Sequence, residues 1–203
     1  MAWDDLGRMA SEENSKDREK WIGVYIAVLA VMLAICSMGG GNAAKDATIR
    51  NIEAANTWAF FQAKNMRRHV LRVQVDELDL QLASNPNIPE AAKAAFTSKI
   101  ADYKKQEETL TRDPEKPEGQ REGLEQLYDK GKALEAARDV AMRKDPYFDY
   151  AQALLQIAIV LASVAIISRH GSFLLGTSAL LALLGAMFTF NGFTLMFALP
   201  MMN

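Results

Sequence analysis

Apolar and charged positions are segregated along this chain. Residues 21–38, 150–168 and 173–199 contain no Asp, Glu, Lys or Arg, whereas residues 43–146 hold 18 basic and 18 acidic side chains. Crossing a hydrocarbon core as a helix takes about 20 apolar residues, with roughly 17 as the lower limit. The pattern therefore predicts three transmembrane helices, over 21–38, 146–168 and 173–199, the last with tilt or an interfacial end. Trp21, Tyr25, Tyr147, Phe148 and Tyr150 stand where an aromatic belt would anchor the ends, and Lys20 and Arg169 where they could snorkel to headgroups. The first run follows a polar segment, 1–20, with six acids against four bases. That leader is unlike the basic start of a secretory signal, and Ile35 is too bulky for a lipoprotein cleavage box at 33–36, so the run is expected to remain as an anchor.

Between the first two spans, residues 43–145 read as a helical domain. Gly39-Gly40-Gly41-Asn42 predicts a break that frees the next helix from the direction of the span. From Ala43 to about Ser84 neither Gly nor Pro intervenes, and Asn85-Pro86 marks the stop. Ile49, Ile52, Asn56, Ala59, Ala63, Met66, Val70, Val73 and Leu80 fall on a 3-4 spacing, a coiled-coil-like seam. Trp58 and Phe61, large aromatics on a helix with few other large apolar groups, are expected to be buried against a neighbour. A second helix is predicted from Pro89-Glu90, with Ala92, Phe96, Ile100, Tyr103 and Leu110 as its apolar stripe. The prolines of 113–117 predict a loop. A third helix over 118–144 carries Leu124, Leu127, Leu134 and Ala141, and Asp145-Pro146 reads as the N-cap and first position of the next. Period-two alternation is missing throughout. The fold class is thus an all-α membrane protein: three transmembrane helices with an inserted helical hairpin or three-helix, coiled-coil-like domain.

Charge and composition narrow the function. The inserted domain is neutral with its signs interleaved, so it has no long-range field to gather phosphates, and nucleic acid is not an expected partner. Cys36 is the only cysteine and lies inside an apolar run. His69, in Arg67-Arg68-His69, has no further ligands at metal-site spacing and reads as a solvated helix residue, its basic neighbours answered by Asp76, Glu77 and Asp79. No nucleophile motif or phosphate loop occurs. No catalytic residue, metal site or cofactor is therefore expected. Polar residues within the spans are the remaining candidates, because they are costly there. Gln152, Gln156 and Ser163 share one face of the second span, Ser37 lies in the first, and Thr177, Ser178, Thr189 and Asn191 in the third. With no charge at mid-membrane, that pattern predicts hydrogen bonding between packed helices.

The runs WIGVYIAVLAVMLAICSMGGGNAAKDA at 21–47, NTWAFFQAKNMRRHVLRVQVDEL at 56–78 and DPYFDYAQALLQIAIVLASVAI at 145–166 give the chain a family likeness. It resembles a bacterial family of predicted membrane proteins known only as a domain of unknown function, number four-three-three-seven. The resemblance runs from Lys20 to about Leu195. It implies a multi-pass protein of the bacterial inner membrane with no established activity, and it carries over no catalytic residues.

The expectation that follows is a non-enzymatic scaffold or accessory subunit. It would act through helix contacts in a homo-oligomer or with another membrane protein, the lipid bilayer being its other partner. The expected contact residues are Ile49, Ile52, Asn56, Trp58, Ala59, Phe61, Ala63 and Met66. The alternative is a small transporter or channel component using the polar face of the second span. Loops above about 60 residues count for little in the positive-inside rule. Arg8, Lys16, Arg18 and Lys20, together with Arg169, then place the chain's N-terminus in the cytoplasm and the domain in the periplasm, although Lys130, Lys132, Arg138, Arg143 and Lys144 argue the reverse.

Overall fold

The structure, a computed structural model, describes residues 2–168 and 170–197, with side chains from residue 17 onward. Arg169, the end of the third apolar run and the side chains of Arg8 and Lys16 lie outside that description. The described residues form four helices, α1 (Ala2–Ser84), α2 (Glu90–Arg112), α3 (Leu124–Ile167) and α4 (Gly171–Thr194), with a 3-10 turn at Glu118–Gln120. Among the described residues there is no strand. Three of the helices, α1, α3 and α4, are long and apolar enough to cross a membrane. The chain divides into two compact units, residues 1–47 with 139–203, and residues 48–138.

The first unit packs the apolar parts of α1, α3 and α4 around Leu29, Cys36, Phe148, Ala151, Leu155, Ala158 and Ala182. Small residues let the backbones approach. On α3 the buried face is Phe148, Ala151, Leu155, Ala158, Ala162 and Ala165, a 3-4 spacing in which four of the six are Ala. Phe148, only 1% exposed, fills a socket made of glycines. A Cβ on Gly39 would lie 2.5 Å from the Phe148 ring, one on Gly192 2.9 Å from it, and one on Gly40 3.1 Å from the Phe148 Cβ. The Cys36 thiol donates to the Phe148 carbonyl at 3.4 Å.

Three expectations are corrected here. The glycines do not break α1, which runs through them. At Gly39 the Phe148 ring leaves no room for a side chain and at Gly40 only a tight fit, which is a packing requirement and not a hinge. Nor does Asp145-Pro146 start a helix, for Pro146 lies inside α3. An interior Pro costs about 3 kcal/mol through its missing N–H and its ring. The two residues after it, Tyr147 and Phe148, are buried, and their packing against α1 and α4 holds the helix continuous across the proline. Finally, α4 stops at Thr194, short of Leu199. Leu195 turns left-handed with its N–H on the Asn191 carbonyl at 2.7 Å. The Asn191 side chain holds both the N–H and the carbonyl of Phe197, at 2.9 and 2.8 Å, and the Tyr147 hydroxyl donates to the same carbonyl at 2.9 Å.

The second unit is a helical hairpin. Descending α1, Arg72 pairs with Glu107, Lys64 donates to the Glu122 carbonyl, Trp58 meets Glu135, and Arg138 donates to Asn51. Partner numbers rise as α1 numbers fall, so α2 and the start of α3 form one return arm antiparallel to α1. The arm is interrupted at 113–123. There Asp113 adopts a left-handed conformation with φ 50° and closes α2, and its carboxylate accepts the Glu122 N–H at 3.2 Å. This loop delays α3 to Leu124, six residues later than the pattern of 118–144 suggests. The α2 stripe of Ala92, Phe96, Ile100, Tyr103 and Leu110 is buried or half-buried as expected.

The glycine socket separates packing from hinging experimentally. Gly39→Val should lower thermal stability by about 2 kcal/mol, as overpacking typically does. Gly41→Ala, where a Cβ meets nothing within 4 Å, should leave stability equal or raise it by up to about 1 kcal/mol through helix propensity. Melting both variants in mild detergent tests this; equal losses would indicate that the glycines act as a hinge.

Candidate interaction surfaces

Within the second unit α1 carries two apolar faces, and the chain covers one of them. With the heptad abcdefg counted from Ile49, the covered face is Ala54, Phe61, Arg68, Val75 and Leu82 at f, and Thr57, Lys64, Leu71 and Leu78 at b; all are buried or half-buried. The seam expected from the sequence occupies a and d: Ile49, Asn56, Ala63 and Val70, and Ile52, Ala59, Met66, Val73 and Leu80. Every one of these is exposed, with Met66 at 65% and Leu80 at 67%. At about 3.6 residues per turn the two faces stand roughly 150° apart round the helix. The seam is therefore not the hairpin's own core. Beside it, Met66, Arg67, Val70 and Leu71 face Lys105, Thr109 and Leu110 across a cavity of about 650 Å³.

Trp58 and Phe61 belong to the covered side, and their neighbour is the chain's own α3. The Trp58 and Phe61 rings meet edge to face at 5.6 Å, and Tyr128 meets Trp58 in the same way at 5.6 Å. Gly131 lets the indole lie against α3, for a Cβ there would be 2.9 Å from the ring. The indole N–H donates to Glu135 at 2.9 Å. The same carboxylate pairs with Lys132 at 2.9 Å. The Lys132 hydrogen bond holds Glu135 below the usual carboxylate range against its partial desolvation, and the Trp58 N–H contributes in the same direction. Gly131 and Glu135 were not singled out from the sequence, because their roles exist only once α3 lies on Trp58.

In the first unit the polar contacts between helices come from other residues than the Gln152, Gln156, Ser163 face. Ser178, fully buried, donates to the Ala158 carbonyl at 2.7 Å and lies 3.2 Å from the Tyr25 hydroxyl. Gln152 is half-buried beside Gly40. Gln156 and Ser163 are exposed, and the Ser163 hydroxyl donates to its own helix at the Ile159 carbonyl, 2.8 Å away. Ser37 is exposed too. His69 is exposed, and among the described residues no group of three or more His, Cys, Asp or Glu side chains is placed to hold a metal ion.

The architecture defines a class: an all-helical protein with three helices suited by length and composition to a bilayer and a helical hairpin between the first two apolar stretches. A family model described as Domain of unknown function (DUF4337) matches residues 18–195, and the chain belongs to that family. No curated protein and no solved structure matches it.

Removing the indole tests the hairpin. Trp58→Ala should cost about 2 kcal/mol, less than a fully buried Trp truncation, because the ring is half-buried. Because the folded Glu135 titrates below its unfolded value, its stabilisation is present above about pH 4.3 and is lost as pH falls through the lower folded value. Glu135→Gln should flatten that acid limb. Melting temperature against pH checks both, and an unchanged acid limb in Glu135→Gln would remove Glu135 from this account.

Proposed function

We propose that this protein is a multi-pass component of the bacterial inner membrane that acts without catalysis, as a scaffold or accessory subunit. In this reading α1 over 21–38, α3 over 146–167 and α4 cross the bilayer, and the hairpin of residues 48–138 supplies contacts to copies of the same chain or to a larger complex. One observation carries it: a row of nine seam positions, Ile49 to Leu80, all left exposed by the chain's own return arm. Soluble surfaces rarely expose contiguous apolar stripes of this extent without a partner. The hairpin itself is held by the opposite face and does not need the seam.

The polar side chains support the same reading over transport. Gln156 and Ser163 are exposed and lie off the buried face of α3, so a polar path would have to be built between copies rather than through one chain. A lipid-facing Gln is costly, and a neighbouring helix relieves that cost by accepting its hydrogen bonds. The hairpin is placed in the periplasm, because the basic flanks Arg18, Lys20 and Arg169 then fall on the cytoplasmic side.

Two measurements test these points. Protein extracted in mild detergent should run as a discrete species larger than one chain, and purified protein in liposomes should conduct no solute; a strict monomer that supports flux would overturn the reading. Alkaline phosphatase fused after residue 110 should be active, whereas green fluorescence from a fusion there would put the hairpin in the cytoplasm.

A further inference from the structure

We infer that the exposed seam over residues 49–73 pairs with the same seam of a second copy, as a parallel, in-register two-stranded coiled coil; this rests on the membrane-scaffold reading and names its partner. The spacing is the first argument. Eight consecutive a and d positions, Ile49, Ile52, Asn56, Ala59, Ala63, Met66, Val70 and Val73, repeat every 3.5 residues on average without a slip. That period fits a partner helix of the same period supercoiled left-handedly, and an identical seam supplies matching length and register. The chain's own arm is centred on the other side of α1 and reaches the seam only at Met66 and Val70, across an open cavity that leaves both exposed.

The second argument is the chemistry of the seam. Asn56 is its only polar residue, at an a position and exposed. Across a two-fold axis it would face its own copy, where two amides can exchange hydrogen bonds; a lone a-position Asn fixes register and partner number at some cost in stability. Ala59 and Ala63, one and two layers further on, let the two backbones come close.

Charge allows a parallel pair, and membrane topology selects it. In a parallel pair each g position faces the e′ position five residues later on the partner. Those pairs are Thr48 with Glu53, Ala55 with Phe60, Gln62 with Arg67, His69 with Gln74 and Asp76 with Gln81, and none opposes like charges. Copies inserted in one membrane with one topology also point the same way. Beyond Val73 the match ends: Glu77 takes the next a position, where two copies would set carboxylates against each other. Leu80 therefore lies past the paired segment.

Single cysteines in the full chain, oxidised in native membranes, test the pairing. Ile52→Cys and Val73→Cys change exposed positions on which the hairpin does not depend. Ser98→Cys, exposed on α2, and the unaltered chain with its buried Cys36 are the controls. Each seam variant should form a disulfide-linked species at twice the 22.5 kDa chain mass, and neither control should. Adding Glu77→Leu should shift the monomer–dimer balance further toward dimer. A link forming only between Ile52→Cys and Val73→Cys chains mixed together would overturn the parallel orientation. An adduct of any other mass would mean that a different protein covers the seam. Absence of links in a protein that still runs larger than one chain would sink the pairing and spare the scaffold reading; absence of links in a strict monomer would sink both.

Discussion

A helix with two apolar faces cannot bury both against one return arm, and the second unit is organised by that constraint. Residues 48–84 of α1 offer a face at b and f and another at a and d, roughly 150° apart round the helix. The return arm, α2 with the start of α3, covers the first. It does so because the larger anchors are there: Trp58 and Phe61 pack against Tyr128, with Gly131 and Glu135 shaped to the indole. Large aromatics contribute more per residue than the Ala, Val and Ile of the seam. The seam is left exposed as the outcome of that competition.

The first unit follows a different rule, close approach instead of large anchors. One large side chain, Phe148, is accommodated because Gly39, Gly40 and Gly192 leave space for it, and the remaining contacts are Ala against Ala or Leu. In the bilayer setting proposed for these helices, hydrocarbon gives no hydrophobic reason to associate, so contact would depend on dispersion and a few hydrogen bonds, which small residues permit. The Ser178 bond to the Ala158 carbonyl is of the kind that such an environment favours.

Much of this was legible in the chain. Apolar runs, the 3-4 stripes of α2 and α3 and the stop at Asn85-Pro86 are local signals, and each matches an element of the fold. What the sequence obscured were residues whose meaning is tertiary. Three glycines in a row look like a hinge until Phe148 is seen against them. Pro146 looks like a helix start until the burial of Tyr147 and Phe148 is weighed against the lost hydrogen bond. For the candidate surfaces, the seam's periodicity was readable, but the side of α1 that the chain itself would use was not. Trp58 and Phe61 were grouped with Ile49 and Met66 as contact residues, although b, c and f positions diverge from a and d by nearly half a turn.

If the protein works as a scaffold, the exposed face of α1 is covered in the membrane. Hydroxyl-radical oxidation of Met66, 65% exposed in the single chain, tests it most directly. In native membranes Met66 should oxidise much more slowly than in the same protein diluted in detergent until it is monomeric. Equal oxidation rates in the two states would contradict the account.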